Sequence, residues 1–190
     1  SSGYVDYLIK IEVGKENQDY PTEQVQFIEA KNRTYFYNKV GLTVSGEGTE
    51  NLQELKESEK MLIWRKGKNS YKHEAKDSNC CLLYSNMKDR YKVETTKLTE
   101  MILGHNCHKV LIYDEVNKEN YRVWFTHSIK GGMSPIGYLP LPGMVLKLES
   151  DRVSYKATKI ESKVIASDFF NVPSQKLKFS EKAFRSGFIP

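Results

Sequence analysis

The sequence predicts one mostly β domain spanning residues 1–190, built as an antiparallel sheet or barrel with one or two short helices. Three observations point there. Apolar and polar residues alternate through several segments, the period of a half-buried strand. Turn signals recur about every ten residues, with no long helical pattern between them. The chain holds 12 Tyr and 8 Phe, residues that fit a pleated, half-buried surface. At 190 residues it can bury a core without disulfide or metal staples.

Tyr7, Ile9, Ile11 and Val13 share one face of the first segment and Lys10 and Glu12 the other, so a strand opens the fold. Val25–Glu29 and Thr34–Tyr37 read as the next pair, turned by Lys31-Asn32-Arg33. Residues 41–60 read as an insertion between strands, with Gly46, Gly48 and Thr49 in loop. Over Asn51–Lys60, Leu52 and Leu55 leave either a short helix or a long loop. Met61–Arg65 and Ser70–Glu74 flank the turn-like Lys66-Gly67-Lys68-Asn69. Cys81–Tyr84 and Tyr91–Thr95 flank residues 86–90, and Cys107–Tyr113 and Tyr121–Phe125 flank Val116–Glu119. Each pair reads as a hairpin. Gly131–Gly143, rich in Gly and Pro, is expected to be irregular but ordered against the sheet. Strands then resume around Met144–Leu148 and, after Asp151-Arg152, at Val153–Ala157. Ser180 can cap a short helix over Glu181–Arg185.

Bulk chemistry excludes several classes. With 29 Lys+Arg against 24 Asp+Glu, the formal charge is +5. The lysines are spread and interrupted by acids, which argues against a nucleic-acid reader. No apolar run approaches the roughly 20 residues of a transmembrane helix. The start, Ser1-Ser2-Gly3, suits a mature N-terminus or a chain trimmed of its signal peptide. Three cysteines, Cys80, Cys81 and Cys107, do not make a disulfide framework. In an oxidising compartment Cys107 has the option of a bridge to Cys80 or Cys81.

No catalytic signature is present. There is no GxGxxG, P-loop or nucleophile elbow, and the adjacent Asp114 and Glu115 would face opposite ways on a strand. His105-Asn106-Cys107-His108 places three possible metal ligands in four residues, but no second Cys/His pair has the spacing of a zinc site. Neither a metal nor a cofactor is expected. Asn32-Arg33-Thr34 fits a glycosylation sequon. The distinctive stretch is Tyr121–Ile129, containing Trp124 and Phe125, followed by Gly131-Gly132-Met133-Ser134-Pro135 and by Leu139-Pro140-Leu141-Pro142-Gly143-Met144-Val145. Two readings apply. An aromatic-floored pocket would use Trp124, Tyr138, Leu139 and Met144 as ligand contacts. Alternatively Trp124 and Phe125 anchor a loop that covers one end of the sheet.

Three motifs in order resemble the GLPGLI family of secreted bacterial proteins. Gly104-His105-Asn106-Cys107-His108-Lys109-Val110 looks like the family's Gly-Tyr-x-Cys-x-Lys-Ala segment. Trp124-Phe125-Thr126-His127-Ser128-Ile129 looks like its Trp-Phe-Thr-x-x-Ile segment. Leu141-Pro142-Gly143-Met144-Val145 looks like the signature itself, after a loop with Gly132 and Pro135. Phe170-Asn171-Val172-Pro173 is similar to the family ending. The chain departs at Pro140, Met144 and Val145, as a divergent relative would. The resemblance covers the C-terminal half. It implies export to the periplasm or outer surface of a Gram-negative cell, and a curved antiparallel sheet or open half-barrel like that of lipoprotein carriers. It assigns no catalytic residue.

The first functional expectation is an exported binding or carrier-like protein of the envelope, holding an apolar ligand, a lipid or a peptide. The second is a structural or accessory component that packs on an outer-membrane partner. The third is an unrecognised hydrolase. An open apolar concave face would favour the first. A filled interior with an exposed apolar patch elsewhere would favour the second, and titratable residues clustered in a deep cleft the third.

Overall fold

The structure, a computed structural model, describes residues 2–13, 26–49, 51, 54, 62–73, 81–86, 89–130, 133–172 and 176–179. Its strands are β1 Ser2–Val13, β2 Gln26–Tyr37, β3 Val40–Ser45, β4 Leu62–Lys66, β5 Asn69–His73, β6 Cys81–Asn86, β7 Tyr91–Ile102, β8 His105–Asp114, β9 Glu119–Lys130, β10 Met133–Ser134, β11 Gly137–Tyr138, β12 Gly143–Glu149, β13 Val153–Ser162 and β14 Lys176–Phe179. Twelve of them form one open sheet in the order β14-β6-β5-β4-β3-β2-β1-β13-β12-β9-β8-β7. Neighbours pair antiparallel except β14, which joins β6 in parallel. The two-residue strands β10 and β11 make a small separate hairpin. The architecture is consistent with the expected curved sheet.

Alternation decides which side chains share a face, and register carries that face across the sheet. Ile9 lies opposite Ala30 and Tyr155, and Tyr155 opposite Leu148. Leu148 lies opposite Val123, and Val123 opposite Val110. This inner face carries the larger core cluster, with Val5, Tyr7, Phe36, Ile112, Phe125 and Leu146. On β1–β4 the other face is apolar too. Tyr4, Tyr35, Leu42, Val44, Leu62 and Trp64 are buried there beneath Phe169 and Phe170, which sit on a 3-10 turn, Ser167–Phe170. Covered on both faces, β3 and β4 read Val-Gly-Leu-Thr-Val and Leu-Ile-Trp-Arg with buried residues in succession.

Four sequence expectations need correction. Lys31-Asn32-Arg33 is no turn but the middle of β2. Its polar side chains have partners there: Asn32 Nδ2 donates to the Pro135 carbonyl at 3.4 Å, and Arg33 binds Asp6 through two hydrogen bonds of 2.6 and 2.9 Å. The reversal falls later, where Asn38 takes φ 51. The buried Asn32 also closes the glycosylation sequon in the folded chain. The insertion at residues 41–60 begins as a strand, β3, in the sheet interior. Finally, β6 and β7 form no hairpin: they lie near opposite ends of the sheet. The short-helix expectations over Asn51–Lys60 and Glu181–Arg185 fall mostly or wholly outside the described residues.

The segment between β9 and β12 fills the interior. Met133, Ile136, Leu139 and Leu141 are buried in the main cluster. A Cβ at Gly41 would fall on the Met133 sulfur, so β3 needs glycine to admit the loop. Gly137 has φ 100, and a Cβ there would come into contact with Ile63 and Ser70. The segment thus touches β2–β5 at one end and returns to β12 at the other. Those strands lie five positions apart between β4 and β12, about 24 Å along a flat sheet. Residues 133–143 of the stretch expected to be irregular are therefore ordered, with the β10–β11 hairpin among them. Leu139→Ala should cost about 2–5 kcal/mol, the range for emptying a core leucine site, whereas Leu98→Ala at the surface should stay within about 0.5 kcal/mol. Denaturant melts of the two variants check this.

Candidate functional site

Local structure explains most of the signature residues. Leu103 and Gly104 take φ 49 and 78 in the two-residue turn from β7 to β8, the consecutive positive φ values of a type I′ hairpin. Gly143 brings β12 against β9 so closely that a Cβ would meet the Thr126 carbonyl oxygen. Pro135 and Leu141 are buried, Pro142 is exposed, and Phe125 belongs to the main core. These positions shape turns, close approaches and core packing.

The four residues expected to line a pocket are all buried, and they do not meet in one cavity. Trp124 alternates with Val123 and Phe125, so its ring lies on the face away from the loop. It is 7% exposed. The ammonium groups of Lys147 and Lys109 stand 4.1 and 5.0 Å from its ring centre, and Lys147 is tethered to Glu100 at 3.2 Å and Glu149 at 3.4 Å. The indole is therefore an anchor roofed by cations, and the loop does not cover it. Tyr138 lies under the Arg65 guanidinium, 4.9 Å away. Burial lowers the Arg65 pKa to about 10 and raises that of Tyr138. Leu139 is fully buried. Met144 is core as well, its sulfur 3.8 Å from the Tyr7 hydroxyl, which donates to the Val145 carbonyl at 2.5 Å.

On β8, alternation sets His108 on the face opposite His105 and Cys107, which share one. Cys107 is a free, fully buried thiol, so the optional bridge to Cys80 or Cys81 is not formed. Desolvation, with Glu100 nearby, pushes its pKa up to about 11. His105 Nδ1 lies 2.7 Å from Ser128 Oγ. His108 stacks edge-on with His127, ring centres 5.4 Å apart, beside Phe125. Among the described residues no three His, Cys, Asp or Glu side chains gather in a way that could hold a metal ion. Asp114 is engaged too. Its carboxylate takes two hydrogen bonds from buried Arg90, at 2.9 and 2.6 Å, and accepts from the amides of Val116 and Asn117. Sequence reasoning missed this pair, because Arg90 lies 24 residues away.

Two surface features stand out instead. The first is β7, which among the described residues pairs only with β8. Along it and beside it lie Val93, Leu98, Met101, Leu103 and Leu111, all exposed, with Leu98 at 58% and Met101 at 65%. The second is on the outer face. A cavity of about 300 Å³ is bounded by Tyr4, Tyr35 and the segment Lys163–Phe169. A separate cleft of about 490 Å³ runs past Asp6, Arg33 and Gly48. Arg33 stands between them, its guanidinium 3.8 Å from the centre of the Tyr4 ring.

No family model matches the chain, and no curated protein matches it. Solved structures of PNGF-II are similar in fold. One, in the C2 space group, gives a TM-score of 0.62 at 16% identity over 96% of this chain and 31% of that chain. Another, in the P21 space group, gives 0.59 at 18% identity over 94% and 32%. The likeness is one of fold, and this chain spans about a third of the PNGF-II length.

Trp124→Ala should destabilise by about 3–5 kcal/mol, the range for a buried aromatic anchor. A loss below about 1 kcal/mol would make the ring a surface group. Cys107 should resist thiol labelling at pH 8 until denaturant is added, and should then react without reductant. Mass spectrometry of the labelled peptide reads both results.

Proposed function

We propose that the chain is an exported, non-catalytic interaction module of the bacterial envelope, which engages a partner protein through the free edge of β7. The observation that carries this reading is the conjunction of a filled interior and an apolar edge. The concave face that a carrier would leave open is occupied by the chain's own Met133–Leu141 segment. Much of the exposed apolar surface lies along one long edge strand, with Phe27 and Ile28 on β2 and Val164 apart from it.

An edge strand offers unpaired N–H and C=O groups to any extended peptide that reaches it. On β7 the exposed Val93, Leu98 and Met101 add apolar contact, while Lys92, Glu94 and Lys97 and the register shift between Thr95 and Thr99 limit indiscriminate pairing. The far edge is different: β14 is only four residues long and carries Lys176 and Lys178. The expected occupant is therefore a strand with apolar side chains at alternate positions, from an outer-membrane or envelope protein. A location in the periplasm or on the outer surface, and kinship with the GLPGLI family, rest on the order and spacing of the three sequence motifs. A carrier role is the second reading, favoured by the outer-face cavity. The hydrolase is disfavoured because the sequence has no catalytic signature and Asp6 and Arg33, beside the larger cleft, are tied to each other.

Native mass spectrometry of the protein purified from its own envelope tests the proposal. A bound protein that is retained by the parent chain and lost from Leu98→Lys supports it. A co-purifying lipid held equally by both, with no partner protein, would contradict it.

A further inference from the structure

We infer that the cavity on the outer face is a binding site for the apolar portion of a small amphiphile, a medium-length acyl chain with its polar end at the rim. The site is independent of the β7 edge and lies on the opposite side of the sheet from the filled interior.

The walls explain the choice. Tyr4 and Tyr35 come from neighbouring strands and meet edge to face, ring centres 6.0 Å apart. Phe169 packs on Tyr35 at 4.8 Å, also edge to face. The tyrosine hydroxyls are directed elsewhere. Tyr4 donates to Glu161 and accepts from Lys159, and Tyr35 donates to the Thr49 carbonyl at 2.5 Å. Both rings line the cavity with their hydroxyls already engaged. Arg33 caps Tyr4 from the side of the neighbouring cleft and does not line the cavity. Val164, Ile165 and Ala166 close the opposite wall. Val164 is 92% exposed, an aliphatic side chain at the lip with no packing role in the free protein.

Lys163 and Asp168 also line the cavity, so one cation and one anion stand among the aromatic and aliphatic side chains. About 300 Å³ is the lower end of the range for small-molecule sites. That volume suits a single chain and not a two-chain lipid. The walls are also well fixed. The segment is held by Ser2, whose hydroxyl donates to the Lys163 carbonyl at 2.6 Å and accepts from the Ile165 amide at 3.3 Å. Burying one methylene at about 0.8 kcal/mol corresponds to roughly fourfold in affinity. Affinity should therefore climb by about that factor per carbon until the cavity is full, and then level off.

Isothermal titration calorimetry of the intact chain with hexanoate, octanoate, decanoate and dodecanoate, all below their micellar concentrations, tests the site. The expected result is a rise of about fourfold per methylene followed by a plateau. Ala166→Trp, which fills the cavity, should reduce decanoate affinity at least tenfold. Because that variant could misfold, Val164→Asp provides a second arm: this side chain is exposed, so the fold is undisturbed, and a carboxylate at the lip should weaken binding about tenfold. Leu98→Lys should leave decanoate binding unchanged. Absence of binding to every acid would overturn the inference, as would binding lost in Leu98→Lys but kept in Val164→Asp.

Discussion

The burial of the sheet's inner face constrains everything else in this fold. An open sheet of twelve strands has an inner face too apolar for water, and among the described residues no helix covers it. The chain solves this with the stretch between β9 and β12. Prolines fix φ and reduce the entropy lost on ordering it, and Met133, Ile136, Leu139 and Leu141 supply the apolar contact. The glycines on either side of that contact follow from it. Gly41 makes room for Met133, and Gly143 lets β12 approach β9 at the point where the loop rejoins the sheet.

Filling the interior displaces function to the outside. Polar groups follow the same logic of mutual satisfaction. Arg90 and Asp114 are both deeply buried, at 3% and 1% side-chain exposure. The Asp114 oxygens also accept from two backbone amides, so neither charge is left uncompensated, the condition under which a buried ion pair is tolerated. On the outer face Asp6 and Arg33 are paired as well, and Lys147 is shared between Glu100 and Glu149. These charged groups are thus occupied with one another, while the exposed apolar surface lies at the β7 strip, the lip of the small cavity and the start of β2. Binding by shape and burial is the chemistry such a surface offers.

Much of the sheet was legible in the sequence. Period-two alternation located β1, β12 and β13, and the glycine and asparagine turns located β4–β5 and β8–β9. The failures have physical causes. Asn32 and Arg33 looked like a turn because polar side chains usually mean solvent, but here one binds the loop and the other binds Asp6 across the strand. β3 was hidden because its inward positions are Gly41 and Thr43, small and semi-polar, as the incoming loop requires. The β6–β7 pairing failed because a turn signal marks a reversal and says nothing about which strands become neighbours. Trp124 is buried, but its roof of lysines comes from β8 and β12 and not from the loop expected beside it, a tertiary relation that no local pattern encodes. The β7 edge was invisible for the same reason: being last in a sheet is a property of topology.

Amide hydrogen exchange followed by NMR addresses the central claim, that the loop is a fixed part of the core and β7 the free edge. The account predicts that amides in residues 133–141 exchange as slowly as those of β1 and β13, while the outward-facing amides of β7 exchange orders of magnitude faster than those of β8. Loop amides exchanging as fast as the outward-facing amides of β7 would contradict it, because a loop that opens readily would make the interior, and not the edge, the working surface.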